Sequence, residues 1–78
     1  GRVRDPGRLT SPMPGKVVTV QKQAGELVNQ GEILFIVEAM KMENAIQAGM
    51  SGILVSVHVK EGDKVDTSTV LAHIGTAD

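Results

Sequence analysis

The stretch MPGKVVTV at residues 13–20 decides the fold, because it returns 37 residues later as MSGILVSV at residues 50–57. The same offset pairs further glycines and apolar residues: Gly25 with Gly62, Val28 with Val65, and Leu34 with Leu71. Two copies are too few for a solenoid, which needs three or more repeats. The repeat therefore predicts one pseudo-twofold domain in which each half completes the core of the other.

Local patterns within each copy indicate β-strands. Val55, Val57 and Val59 alternate with polar residues, which predicts a strand with one apolar and one polar face. The continuous apolar run ILFIV at residues 33–37 predicts a strand that is buried on both faces. Turns containing glycine at residues 24–26 and 61–63 separate these runs. We therefore expect an all-β fold of two small antiparallel sheets packed face to face.

The first ten residues, GRVRDPGRLT, lie outside the aligned repeat and offer few apolar side chains. They predict a flexible linker over residues 1–10, followed by a folded domain over residues 11–76. An alternative interpretation makes the first segment a docking arm.

Composition narrows the possible functions. The 78 residues make one small domain with a net charge of −1, and Phe35 is the single aromatic residue, which disfavours nucleic-acid binding. The longest apolar run is far too short to span a bilayer. The absence of cysteine excludes disulfides and thiolate metal sites. The sequence positions of His58 and His73 do not match the spacing of a metal site or of a catalytic triad. We therefore expect neither a metal site nor a catalytic constellation.

Lys41 lies where the first copy passes into the second, and its equivalents at the same offset are Arg4 and Asp78, the two ends of the sequence. A twofold axis would place Lys41 at one end of the molecule and both termini at the other. The surrounding stretch EAMKMEN at residues 38–44 predicts a tight hairpin with Met40 and Lys41 at its tip. Neither is the Gly or Asn that such a turn favours, so each costs on the order of 1 kcal/mol in the left-handed region. Strain tolerated at this tip is a hint of function.

The residues alone leave two interpretations of this tip open. Lys41 could be an ordinary solvated lysine, with Met40 and Met42 packing inward at the edge of the core. Alternatively, the flexible thioether side chains of Met40 and Met42 could form a recognition surface.

The motif AMKM at residues 39–42 resembles the attachment motif of biotinyl (biotin carboxyl carrier) domains. The stretches SPMPG at 11–15 and KEGDKV at 60–65 are also similar to that family, and the resemblance covers about residues 11–75. It implies a flattened β-barrel of two antiparallel sheets, often called a barrel-sandwich hybrid, with biotin attached covalently to Lys41. It assigns recognition around that lysine to Glu38, Ala39, Met40, Met42 and Glu43.

The resemblance also implies a function without catalysis by the domain itself. A biotin protein ligase would modify Lys41, and the domain would shuttle CO2 as carboxybiotin from a biotin carboxylase to a carboxyltransferase. The SPMPG stretch is most similar to the C-terminal domain of an acyl-CoA carboxylase α chain. We expect the isolated domain to be monomeric, in the cytoplasm or the mitochondrial matrix.

Two alternatives share the fold. One is a lipoyl domain of a 2-oxoacid dehydrogenase complex, which also modifies a hairpin lysine, although Met40 and Met42 argue for biotin. The other is an unmodified interaction module of the same hybrid fold.

Overall fold

Eight short strands build the part of the chain that the computed structural model describes, residues 7–76. In chain order they are β1 (Arg8–Thr10), β2 (Gly15–Val20), β3 (Leu27–Val28), β4 (Ile33–Ala39), β5 (Met42–Gln47), β6 (Gly52–Val57), β7 (Lys64–Val65) and β8 (Val70–Gly75). They form two four-stranded antiparallel sheets, ordered β1-β8-β6-β3 and β5-β4-β2-β7. No helix in residues 7–76 is long and apolar enough to cross a membrane.

The offset of 37 residues relates one sheet to the other. It maps β2 onto β6, β3 onto β7, β4 onto β8, and β1 onto the last three residues of β5. Hydrogen bonds repeat at the same offset, because Val17 N donates to Asp63 O at 2.8 Å and Leu54 N donates to Glu26 O at 2.9 Å. The predicted all-β fold and its pseudo-twofold symmetry are therefore confirmed. The two sheets remain separate, however, and do not close into a barrel.

The core lies between the sheets and receives matched side chains from both copies. Its most deeply buried residues fall into pairs at the repeat offset: Val17 with Leu54, Leu34 with Leu71, Phe35 with Ala72, and Val37 with Ile74. Neither copy can bury its apolar face without the other. The predicted mutual completion of the halves is thus visible in the packing.

Residues 8–10 depart from the predicted linker. They form β1, which pairs with β8 in the register Arg8 to His73 and Leu9 to Ala72. Gly7 O also accepts a hydrogen bond of 2.7 Å from Ile74 N. The repeat contains the signal for this strand, since Leu9 lies 37 residues before the buried Ile46. These three residues belong to the folded domain, whereas residues 1–6 lie outside the described part.

The alternation predicted for residues 55–60 is also wrong in part. Val55 is 57% exposed, while Leu54 is fully buried and Val57 packs against the core, because the register of β6 against β8 shifts between Leu54 and Ser56. A β-bulge of this kind adds one residue to a strand and turns the following side chains to the other face. The strand then ends at Val57, which leaves Val59 in the loop that follows.

The two glycine turns match their prediction and help to orient the molecule. Gly25 and Gly62 have φ angles of 98° and 95°, a conformation that glycine adopts without a steric penalty. Val20 and Val57, at the ends of β2 and β6, line one depression of about 330 Å³, so these strand ends meet near the twofold axis. The strand starts point to opposite poles, with the β4–β5 turn at one and Gly7 and Thr76 at the other. Arg4 and Asp78 themselves lie outside the described residues.

Candidate functional site

The turn between β4 and β5 has only two residues. Ala39 pairs with Met42 in the ladder, which leaves Met40 and Lys41 to reverse the chain. Their φ angles are 55° and 65°, and no other residue of the described chain except glycine has a positive φ. Positive φ at both central positions is the signature of the type I′ hairpin turn. The tight hairpin expected at Met40 and Lys41 is confirmed.

The base of the hairpin is fixed by packing and by a side-chain amide. Ala39 is buried, with 8% of its surface exposed. Asn44 Nδ2 donates to Met42 O at 3.2 Å and to Val37 O at 3.4 Å, which links β5 to its neighbour just below the turn. Sequence reasoning gave Asn44 no role, although it lies within the motif stretch. The tip is therefore a rigid projection and not a free loop.

Both methionines point away from the core. Met40 is 93% exposed and Met42 is 66% exposed. Inward packing, one of the two interpretations left open by the sequence, is therefore wrong for both residues. Two large, flexible apolar side chains therefore lie in water on either side of Lys41, and their recognition by a binding partner stays a prediction.

A row of charges crosses the outer face of the sheet beside the hairpin. Glu43, Glu38, Lys16 and Lys64 lie opposite one another in turn on β5, β4, β2 and β7. Glu38, Glu43 and Lys16 also line a shallow depression of about 490 Å³. The two predicted recognition carboxylates therefore share one face with each other and leave the turn itself clear.

Lys41 extends from this projection into solvent. Within residues 7–76, no carboxylate lies within 4.0 Å of its amine, since the ion pairs found there belong to Lys22. A primary amine that is held in the open can react with an activated carboxyl group once it has lost its proton. This geometry suits an amine that must enter the active site of another protein.

The two histidines lie elsewhere. Ser56 Oγ is 3.0 Å from His58 Nε2 on an exposed stretch, and His73 belongs to β8. Across residues 7–76, no three His, Cys, Asp or Glu side chains come together as a metal site would require. The depressions in the surface are shallow and open, so the hairpin is the most distinctive feature of this molecule.

A small two-sheet domain with one lysine displayed at a strained turn defines the class of carrier domains that are modified on a hairpin. The sequence profile described as "Biotin-requiring enzyme" matches residues 7–74. The chain belongs to this family of biotinyl and lipoyl domains, and the predicted family is confirmed. Biotin, the expected cofactor, is the group that the family description names.

Relatives support the biotinyl branch of the family. The chain is 44% identical over 73 residues to a pyruvate carboxylase of Bacillus subtilis, covering 94% of this chain and 6% of that protein. It is 46% identical over 66 residues to the mitochondrial propionyl-CoA carboxylase alpha chain of Sus scrofa, covering 85% of this chain and 9% of the relative. A biotin carboxyl carrier protein of Streptococcus mutans is 41% identical, with 85% of this chain and 51% of that protein covered. The chain thus spans a small part of the large carboxylases that it matches.

Solved structures agree on the fold. The urea carboxylase of Kluyveromyces lactis superposes with a TM-score of 0.81 at 31% identity, over 87% of this chain and 6% of that protein. A lipoyl domain of the 2-oxoglutarate dehydrogenase complex of Azotobacter vinelandii superposes with a TM-score of 0.78 at 23% identity, over 91% of this chain and 98% of that domain. The second likeness concerns the fold alone, so the lipoyl alternative is the weaker one.

Proposed function

We propose that this chain is a biotin carboxyl carrier domain in which a biotin protein ligase attaches biotin to Lys41. The observation that supports this most directly is the turn itself. Met40 and Lys41 are held at φ angles of 55° and 65°, and Met40 is almost fully exposed. A plain structural hairpin would gain stability from Gly or Asn at these positions. The strained Met-Lys pair therefore favours selection for modification.

For the attachment of biotin, the chain needs only to present Lys41 to the ligase. The neutral Lys41 amine attacks the carbonyl carbon of an activated biotin adenylate, an amide bond forms, AMP leaves, and the amine proton passes to the ligase or to solvent. The formal net charge of −1 then becomes one unit more negative, because an amide is uncharged. The exposed Met40 and Met42 beside Lys41 would offer apolar contacts to the ligase, Glu38 and Glu43 on the adjoining strands would offer anionic ones, and the buried Ala39 supports the turn from within.

The bound biotin would supply a ring that accepts a carboxyl group at one active site and releases it at another. The chain's own part is to hold Lys41 at the end of a rigid hairpin that fits into a biotin carboxylase site and then into a carboxyltransferase site. Linking the carrier to both sites makes each encounter intramolecular, with effective concentrations that reach the mM range for short flexible linkers. Weak docking is enough under these conditions, and it lets the carrier leave each site.

The parent enzyme that we propose is an acyl-CoA carboxylase, in the cytoplasm or the mitochondrial matrix. Its support is the 46% identity to a propionyl-CoA carboxylase alpha chain, together with the SPMPG stretch at residues 11–15. The identity of 44% to a pyruvate carboxylase makes that enzyme the second candidate. Assays of the parent enzyme with acyl-CoA and with pyruvate as acceptor separate the two.

Biotinylation tests the assignment of Lys41. The chain is incubated with biotin protein ligase, ATP and biotin, and its intact mass is measured. We expect the gain of one biotinyl group in the parent chain and in Lys16→Arg, and none in Lys41→Arg, because a guanidinium keeps its proton and its charge. A parallel reaction contains a lipoate ligase, ATP and lipoate, and addition of a lipoyl group alone would support the lipoyl alternative. No addition by either ligase would support an unmodified module.

A further inference from the structure

The pseudo-twofold symmetry reveals that equivalent positions on the two sheets carry different side chains, although the backbone is the same at both. Near the hairpin, Lys64 lies opposite Lys16 on the outer face of β7 and β2. On the other sheet, the positions 37 residues away are Leu27 and Ile53, which lie opposite each other in the same way on β3 and β6. Both pairs occupy equivalent places in equivalent strands. The fold therefore accepts lysine at these positions, and the apolar pair needs another explanation.

Leu27, Ile53 and Val55 together form what we call the apolar row. Leu27 is 66% exposed and Val55 is 57% exposed, while Ile53 lies between two buried neighbours and so faces outward. A Cβ at Gly75 would come within 2.7 Å of Val55 Cγ2, so the Val55 side chain lies over the Gly75 backbone beside Ile53. The row thus spans β3 and β6, and its Val55 covers the backbone of β8.

The apolar row lies at the pole away from Lys41. Leu27 and Thr76, the last described residue, line one depression of about 380 Å³. Gly7, the first described residue, is hydrogen-bonded to Ile74 at the same pole. A domain attached through a short connection at either end of the described chain would therefore reach this row, and docking there would leave the acceptor hairpin free.

We propose that the apolar row docks on an apolar surface of another domain of the same polypeptide. This inference rests on the proposed function only in placing the domain within a longer carboxylase chain, as in relatives of which it spans 6% and 9%. A second copy fits poorly, because a stable interface engages about 20–30 residues on each side. Two exposed aliphatic side chains together with the half-buried Ile53 suffice for a partner that a linker already holds nearby. The row gives the carrier a resting position between its visits to the active sites.

Photocrosslinking in the full-length polypeptide tests this docking. Benzoylphenylalanine replaces Leu27, and in a matched control it replaces Ile33, a 42% exposed aliphatic residue on the other sheet. We expect at least tenfold more crosslinks from position 27 than from position 33 to peptides of other domains in the same chain. Equal yields from both positions would overturn the proposal. So would crosslinks confined to the apolar row of a second polypeptide.

A second variant tests whether the crosslinks depend on the apolar row. Ile53→Lys, which copies Lys16 at the equivalent position, should reduce crosslinking from position 27 about tenfold without harming the fold. Unchanged crosslinking would contradict docking through this row. The mass of the Lys41 peptide is recorded in each sample. If Lys41 carries biotin but no crosslinks form, the docking proposal alone is contradicted. If crosslinks form but Lys41 carries no biotin, the proposed function alone is contradicted.

Discussion

Met40 and Lys41 adopt a backbone conformation that residues with a β-carbon seldom occupy. In the left-handed region the Cβ atom approaches the following carbonyl oxygen, at a cost of about 1–2 kcal/mol for each such residue. The described chain accepts this cost at two neighbouring positions and elsewhere places glycine at positive φ. The strain therefore coincides with the site that the proposed function needs, as is common at functional turns.

Relief of this strain gives the first prediction. Met40→Asn should raise the free energy of unfolding by about 1 kcal/mol, because Asn tolerates the left-handed region. The same change at Met42, which is exposed on a strand without positive φ, should give no gain, since Asn is poor in strands. Urea unfolding of both variants measures the difference. Equal stability of the two variants would contradict strain at the tip.

The same residues show what sequence could establish about the site. The two-residue turn and the position of Lys41 within it followed from the motif and from the place where the first repeat passes into the second. The direction in which Met40 and Met42 point did not follow from the sequence, because an apolar side chain next to a strand can either pack into the core or project into solvent. The register leaves Met40 in the turn, whereas it pairs Met42 with the buried Ala39, so the exposure of Met42 follows from its place at the edge of the core and not from the pairing.

At the level of elements, the strands with a strong apolar pattern were predictable and the irregular ones were not. The run at residues 33–37 became part of β4 as predicted, but its burial on both faces is wrong, because Ile33 is 42% exposed and Ile36 is only half-buried. Strand β1 escaped notice because Leu9 is its single apolar residue. The exposure of Val55 escaped notice because alternation assumes a regular pleat, whereas a bulge at Leu54 and Ser56 interrupts it. The last two errors concern features that depend on pairing with β8.

Gly52, at the start of β6, allows β8 to approach closely, a role that the turn glycines do not share. A Cβ at Gly52 would lie 2.0 Å from Gly75 O, so Gly52→Ala must push β6 from β8. We expect a loss of about 3 kcal/mol of unfolding free energy, at the upper end of the cost of overpacking. Gly62→Ala, with φ of 95° and open space around it, should lose only about 1 kcal/mol. Thermal unfolding measures both, and a smaller loss at Gly52 would contradict the close approach.

Two carboxylates in the loops make the free energy of unfolding depend on pH. Hydrogen bonds from Ser68, first from its side chain, lower the pKa of Asp66. Hydrogen bonding from the Asn29 backbone and then from Lys22 lowers the pKa of Glu32. For both carboxyl groups, the pKa in the folded state lies below the pKa in the unfolded state. Each ionised carboxylate therefore stabilises the folded state at pH values above its unfolded pKa, and this contribution is lost as the pH falls through its folded pKa.

Unfolding by urea across a pH series tests this linkage. Asp66→Asn and Glu32→Gln should be less stable than the parent at pH 7, and the difference should shrink below about pH 5, where the parent loses the same contribution. Ser68→Ala removes the side-chain hydrogen bond to Asp66 but keeps the one from the Ser68 backbone N–H, so it should shift stability in the same direction as Asp66→Asn and by less. A difference that stays constant down to pH 2 would show that these carboxylates do not couple folding to pH.

For the whole molecule, the repeat distributes each copy over both sheets. Strands β1 and β3 of the first copy lie in one sheet with β6 and β8 of the second. Strands β2 and β4 of the first copy lie in the other sheet with β7 and with β5, the equivalent of β1. Neither half owns a complete sheet or a closed core, and small sheets need such a core for independent stability.

Cleavage of the chain after the exposed Gly49, between β5 and β6, tests this interdependence. We expect the fragments 1–49 and 50–78 to be unfolded when separate, with poorly dispersed amide spectra, because each exposes the apolar face that the other should cover. Mixing them should restore dispersion, since the hydrogen bonds from Val17 to Asp63 and from Leu54 to Glu26 join the halves without a chain connection. Adding Leu54→Ala to the second fragment should prevent recovery by opening a cavity at a fully buried site. A folded spectrum from either fragment alone would mean that one copy suffices.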